Sequence, residues 1–256
     1  MNFEPQGYLL RSNQDGYFVN PFIYQDINRE IKELLHQAVY LLRKDNQEQI
    51  DSVYVRGSFA SNTQIPNYSD IDLIVIHTGV LDNIPKNMSW DNHTFRLDID
   101  FLPLHDFQDL RQRFGTHFML KTQSIHLYGE NRIPEVSEFS ASTYTASQFG
   151  RNLPKLIDKA HILLHENNHH RTEVTKWIAR AILRATNALF LDREKMYTRD
   201  LVLCYRYFSK YYPYDEPQMR QLLEQAIHPT FSEEELITFL DSFGLHIAKL
   251  IEHYHQ

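Results

Sequence analysis

The hydrophobic rhythm of the chain changes once, and the change divides it. Up to about Val136, short apolar runs of strand type alternate with helical stretches; from about Ser140 onward the apolar residues recur with a period near 3.6. In the first part, residues 26–45 predict an amphipathic helix with Ile31, Leu34, Leu35, Ala38, Leu41 and Leu42 on one stripe. Strands are predicted at 51–57, from Asp70, around Phe95 and near Ser124, with a helix over 105–114 before the last of them. In the second part, 151–166 carries Leu153, Leu156, Ile157, Ala160, Leu163 and Leu164 at helical spacing. Residues 175–191 do the same with Ile178, Ala181, Ile182, Ala185 and Leu189. The final helix is the best marked. Ser232 with Glu235 forms a capping box, Phe231 with Leu236 a hydrophobic staple, and Leu236, Leu240, Phe243, Ile247 and Leu250 the buried face. A proline-containing stretch over 130–140 marks the boundary. The pattern predicts an α+β chain: a mixed sheet with flanking helices over 1–135, then an all-α bundle over 136–256.

The chemistry concentrates in residues 53–76, VYVRGSFASNTQIPNYSDIDLIVI. An apolar strand ends in Gly57-Ser58, a polar loop follows, and Asp70-Ile-Asp72 opens the next apolar strand. Strand side chains alternate, so Asp70 and Asp72 share a face. Two carboxylates that close repel, and keeping both ionised calls for a cation between them. For hard oxygen ligands the usual ion is Mg²⁺, in company with a phosphorylated substrate. The run 95–104, FRLDIDFLPL, offers a third acid, either Asp98 or Asp100, again on one face. Two metal ions roughly 3.5–4 Å apart need such a third carboxylate from a neighbouring strand. Gly57 lets backbone amides approach an anion, and Ser58 adds a hydroxyl donor.

Apolar strand, Gly-Ser, polar loop, Asp-x-Asp and then apolar-Asp-apolar is a succession that resembles the DNA polymerase β-like nucleotidyltransferase superfamily. Within it the chain looks most like the small bacterial nucleotidyltransferases that include the aminoglycoside adenylyltransferases. The matching residues are Gly57, Ser58, Asp70, Asp72 and Asp98, and SIHLYGENRIPEV over 124–136 resembles the family's closing strand with its Tyr-Gly turn and proline. The resemblance implies a nucleotidyltransferase palm followed by a helical acceptor-binding domain. It implies Asp70, Asp72 and Asp98 as catalytic and metal-holding acids, with Asp100 as a neighbour on the metal face. Two Mg²⁺ ions and ATP or another nucleoside triphosphate are the implied cofactor and donor. Where the streptomycin and spectinomycin adenylyltransferases carry a Ser-Lys pair against the nucleotide phosphates, this chain reads Thr198-Arg199. Arginine keeps the charge but is no isostere of lysine.

Composition narrows the class. The 256 residues are 42% hydrophobic, with 16 Phe and 15 Tyr, enough for a large core and against disorder. The lone Cys204 excludes a disulfide framework and reads as a small buried hydrophobe. No apolar run approaches the roughly eighteen residues of a membrane span, and the first residues lack the apolar core of a signal peptide, so a cytoplasmic protein is expected. A net charge of −7 disfavours nucleic acid as partner and suits a cationic small molecule.

A triphosphate calls for basic residues. Lys176, Arg180 and Arg184 recur every four residues as one stripe, and Arg56 and Arg199 are further candidates. His161, His165 and His169 share that spacing, but no cysteine stands near and the stretch 167–170 reads as a loop, which argues against zinc. The cluster Tyr205, Tyr207, Tyr211, Tyr212 and Tyr214 reads as packing, and Glu173, Asp192 and Glu194 as acids able to meet amino groups. The expected activity is Mg²⁺-dependent transfer of a nucleoside monophosphate, AMP from ATP first, onto the hydroxyl of a small molecule such as an aminoglycoside-like antibiotic, with release of pyrophosphate. The rivals are a nucleotidyltransferase of toxin–antitoxin type acting on protein or RNA, and a catalytically silent nucleotide-binding protein.

Overall fold

In the computed structural model, which describes residues 3–64, 69–90, 93–107, 109, 113–166 and 170–256, the first strand does not join the sheet that follows it. β1 (Leu9–Arg11) pairs antiparallel with a strand near the far end of the chain. Two compact units result: Val19–Phe139 form one, and the segment ending at Phe18 joins Ser140–Gln256 in the other.

The first unit begins with α1 (Arg29–Arg43), capped by the Asn28 side chain, which accepts from the Glu30 amide at 2.9 Å. Its buried residues are Ile31, Leu34, Leu35, Ala38, Val39 and Leu42, the predicted stripe with Val39 added and Leu41 left at its half-buried edge. β2 (Ile50–Arg56), α2 (Gly57–Ser61), β3 (Ile71–His77), β4 (Asn87–Trp90) and β5 (His93–Pro103) follow, and after α3 (Phe118–Gln123) comes β6 (Ile125–Gly129). The sheet order is β4-β5-β3-β2-β6, with β3 and β5 parallel and the other neighbours antiparallel. The α1 stripe shares one core with Val53, Val55, Leu73 and Val75. Alternation then sends Arg56, Asp72 and Asp98 to the opposite face. β2 and β3 are nearly continuous buried runs because both faces are covered. Gly129 closes the sheet at φ +80°, where a Cβ would lie 1.9 Å from the Asp51 carbonyl oxygen, so only glycine fits.

The helix expected over 105–114 is displaced. Leu104–Asp106 form a 3₁₀ turn, and the helix comes later, as a π-turn over Arg113–His117 that runs into α3; residues 108 and 110–112 of the expected helix lie outside the described ones. Phe118 of α3 is fully buried, with its ring 5.1 Å from that of Phe139.

The second unit comprises α4 (Thr143–Gly150), α5 (Leu153–Glu166), α6 (Arg171–Ala185), α7 (Asn187–Glu194), β7 (Met196–Thr198), α8 (Leu201–Tyr211), α9 (Glu216–Ile227), α10 (Glu233–Phe239) and α11 (Leu245–Tyr254), β7 being the partner of β1. The single helix expected over 175–191 is two, broken at Thr186. There the Thr186 hydroxyl donates to the Leu183 carbonyl at 2.6 Å. The Asn187 side chain donates to the carbonyls of Arg184 and Thr198 at 2.9 Å and accepts from the Thr198 amide at 3.0 Å. Local side-chain bonds of this kind compete with the helix ladder.

The last helix is also interrupted, by a π-turn over Leu240–Gly244, where Ser242 donates to the Thr238 carbonyl at 2.7 Å. The extra residue rotates the end of the helix, so Ile251 is buried in place of Leu250. The capping box is present in both directions, the Ser232 hydroxyl accepting from the Glu235 amide and the Glu235 carboxylate from the Ser232 amide. Ser232→Ala is expected to lower stability by about 1 kcal/mol, read as a shifted urea midpoint at constant m-value.

Among the described residues, no helix is long and apolar enough to cross a membrane.

Candidate active site

Three strands set the site. In the ladder, Arg56 of β2 is the partner of Asp72 on β3, and Asp72 is the partner of Asp98 on β5. Direct partners project to the same face, so a cation and two carboxylates form one row across the sheet, at strand spacings of about 4.8 Å. Asp70 precedes β3 and lies on that face too; its Oδ2 is 3.4 Å from Nε of Arg96, which the parallel pairing of Ile71 with Leu97 brings beside it. Asp100 stands one alternation beyond Asp98, opposite Ile74. Arg56 reaches across β3 to it: Nη2 lies 2.9 Å from Asp100 Oδ2, and Nη1 lies 3.4 Å from Asp72 Oδ1. Sequence reading passed over Arg96, although its place two residues before Asp98 signals the shared face.

Gly57 starts α2 at φ +70°, and a Cβ there would lie 2.2 Å from Asp72 Oδ2. The turn therefore passes in contact with the carboxylate, which only glycine permits, and Ser58 follows in the first turn of α2.

Mg²⁺ binds through one or two carboxylates plus substrate phosphates rather than through an all-protein cage. Asp72 and Asp98 supply that donor set in hard oxygens, so the residues fit the ion. Among the described residues no group of three or more His, Cys, Asp or Glu side chains is placed to hold one ion. Two arginines, Arg56 and Arg96, draw the carboxylates toward themselves instead.

The other candidates lie in the helical unit. Lys176, Arg180 and Arg184 share a groove of about 360 Å³ with Glu173, Trp177 and Ala181. Burial pushes the Arg184 guanidinium down to about 10, and the positive charges of Arg199 and Arg180 add to this, so three cations stand close enough to repel. Arg184 Nε donates to the Arg199 carbonyl at 3.3 Å. The Thr198 hydroxyl, at the place of the family's serine, is committed to structure: it donates to the Tyr8 carbonyl at 2.9 Å and accepts from the Asp200 amide at 3.0 Å. Asp192 accepts from Thr143 and Tyr254, both at 2.9 Å, and Glu194 binds Lys210 and Tyr211, so both acids are engaged in packing; Glu173 is exposed. Of the tyrosines, Tyr212 stacks on Phe208 and Tyr205 donates to Glu216, while Tyr214 is exposed. His161 pairs with Asp241 at 3.1 Å, and His169 lies outside the described residues. Burial pushes the Cys204 thiol up to about 12, which leaves it unreactive.

Comparison with known proteins bears on the domain and the fold. The family model described as a nucleotidyltransferase domain matches residues 39–118, a stretch that contains Gly57, Ser58 and all four aspartates. Among solved structures, the chain is similar to spectinomycin adenyltransferase AAD(9) from Enterococcus faecialis, solved with ATP and spectinomycin. The TM-score is 0.55 at 12% identity, over 86% of this chain and 98% of that one. No curated protein sequence matches.

Proposed function

We propose that this chain, whose residues 39–118 match a nucleotidyltransferase domain, is a nucleotidyltransferase that moves AMP from ATP onto a hydroxyl of a small molecule and releases pyrophosphate. The observation that carries the reading is the row Arg56–Asp72–Asp98 with Gly57 in contact with its central member. In this reading Asp70, Asp72 and Asp98 are the acids of the site, and Asp72 and Asp98 hold Mg²⁺. When bound, the ion polarises the α-phosphoryl group and offsets charge on the departing pyrophosphate. Gly57 and Ser58 bind the terminal phosphates, and Arg180, Arg184 and Arg199 are a basic group of the helical unit suited to an anion. As the acceptor oxygen bonds to the α-phosphorus, the bond from that phosphorus to the bridging oxygen of the departing pyrophosphate breaks, and the acceptor's proton passes to a general base, the alternative role of Asp98 to holding the ion.

The acceptor is proposed as a polyamine sugar of aminoglycoside type. The net charge of −7 suits such a cation, and AAD(9) was solved with ATP and spectinomycin. Incubation with α-labelled ATP and Mg²⁺ against an aminoglycoside and aminocyclitol panel tests the proposal. The label is expected on one acceptor class, with one pyrophosphate released per transfer. Label appearing only on protein or RNA would replace the small-molecule acceptor.

A further inference from the structure

Arg56 lies against Asp72, one of the two carboxylates that the proposed function gives to a metal. Its side chain is only 14% exposed, and both terminal nitrogens are engaged, one by Asp72 and one by Asp100. Among the described residues its Nε is enclosed without a hydrogen-bond acceptor. A buried guanidinium donor left unpaired is costly, so the group is suited to gaining an anionic partner. A divalent ion against Asp72 would repel a guanidinium 3.4 Å from the same carboxylate. Asp72 cannot serve both at full strength. Asp100 has no such conflict: it stands off the Asp72–Asp98 row and holds the other end of the fork at 2.9 Å.

We infer that Arg56 is the resident counter-ion of this face, which a divalent ion displaces from Asp72, and that Asp100 is the anchor that retains Arg56 rather than a ligand of the ion. The inference rests on the nucleotidyl-transfer reading for the identity of the face. Asp100 is thus a positioning residue, acting through Arg56. Metal alone meets a competing cation and binds weakly; metal arriving with a nucleotide brings phosphate oxygens that accept from the released guanidinium. Divalent ion and nucleotide therefore bind synergistically.

The test is titration of the intact chain with Mn²⁺ alone, free ion being read by electron paramagnetic resonance. Wild type is compared with Arg56→Met, Arg56→Lys, Asp100→Asn and the Arg56→Met/Asp100→Asn double variant. Arg56→Met should bind Mn²⁺ about fivefold more tightly than wild type, and Arg56→Lys should stay near wild type. Asp100→Asn should bind more weakly, since Arg56 is then left to Asp72 alone. In the Arg56→Met background the same change should have no effect, because the residue acts only through the guanidinium. Equal losses from Asp100→Asn in both backgrounds would make Asp100 a ligand and overturn the inference, as would unchanged or weaker binding by Arg56→Met. The two readings fail separately. Arginine-dependent Mn²⁺ binding without transfer from any nucleotide would sink the activity and leave the inference standing. Transfer with Mn²⁺ affinity indifferent to Arg56 would do the reverse, and no Mn²⁺ binding by any variant would overturn the inference.

Discussion

Asp72→Asn is expected to lower kcat for nucleotidyl transfer about a thousandfold or more while leaving folding stability within about 1 kcal/mol of wild type. The expectation follows from position. Asp72 is the middle of the row, in register with Arg56 on one side and Asp98 on the other. Asparagine keeps the shape and removes the charge that holds a cation against the phosphates. Metal-assisted charge stabilisation contributes several kcal/mol to a transition state, and each 1.4 kcal/mol is a factor of ten. The effect on folding is small because the carboxylate is partly exposed and asparagine keeps its size and shape. Initial rates with labelled ATP, beside a urea denaturation curve, separate the two. A variant that turns over at more than a tenth of the wild-type rate would remove Asp72 from the chemistry.

The second large effect belongs to Gly57. Its φ of +70° costs an alanine about 1–2 kcal/mol, and the added Cβ would lie 2.2 Å from Asp72 Oδ2. The turn or the carboxylate must move, and a displacement of about 1 Å in a positioned group costs on the order of a hundredfold in rate. Gly57→Ala is therefore expected to lose about 1–3 kcal/mol of stability and about a hundredfold in kcat. The two losses are linked through one contact. Stability lost with full activity would make Gly57 a purely structural turn.

Most of the first unit was legible in the sequence because its two signals are short-range. The α1 stripe and the apolar runs of β2 and β3 follow from periodicity alone, and alternation by itself puts Asp70 and Asp72 on one face. What alternation cannot supply is register between strands. That Asp98 rather than Asp100 stands beside Asp72 depends on the parallel pairing of β3 with β5. The reach of Arg56 to Asp100 depends on the same pairing. The two interrupted helices of the second unit share a physical origin in side chains that outbid the backbone ladder. Thr186 and Asn187 break a helix whose apolar spacing continues through them, and Ser242 opens a π-turn in the last one. β1 escaped notice because three residues, Leu9–Arg11, carry no readable period and their partner β7 lies more than 180 residues away. The residues after Phe139 carry the helical period, yet the membership of the segment ending at Phe18 in that unit rests on the same distant pairing.

Calorimetric titration of ATP into the intact chain, with and without Mg²⁺ and beside the Asp70→Asn/Asp72→Asn double variant, tests the central claim most directly. The account predicts saturable ATP binding by wild type that strengthens with Mg²⁺, and loss of that dependence in the double variant. No binding of ATP, GTP, CTP or UTP by the wild type under any metal condition would contradict it.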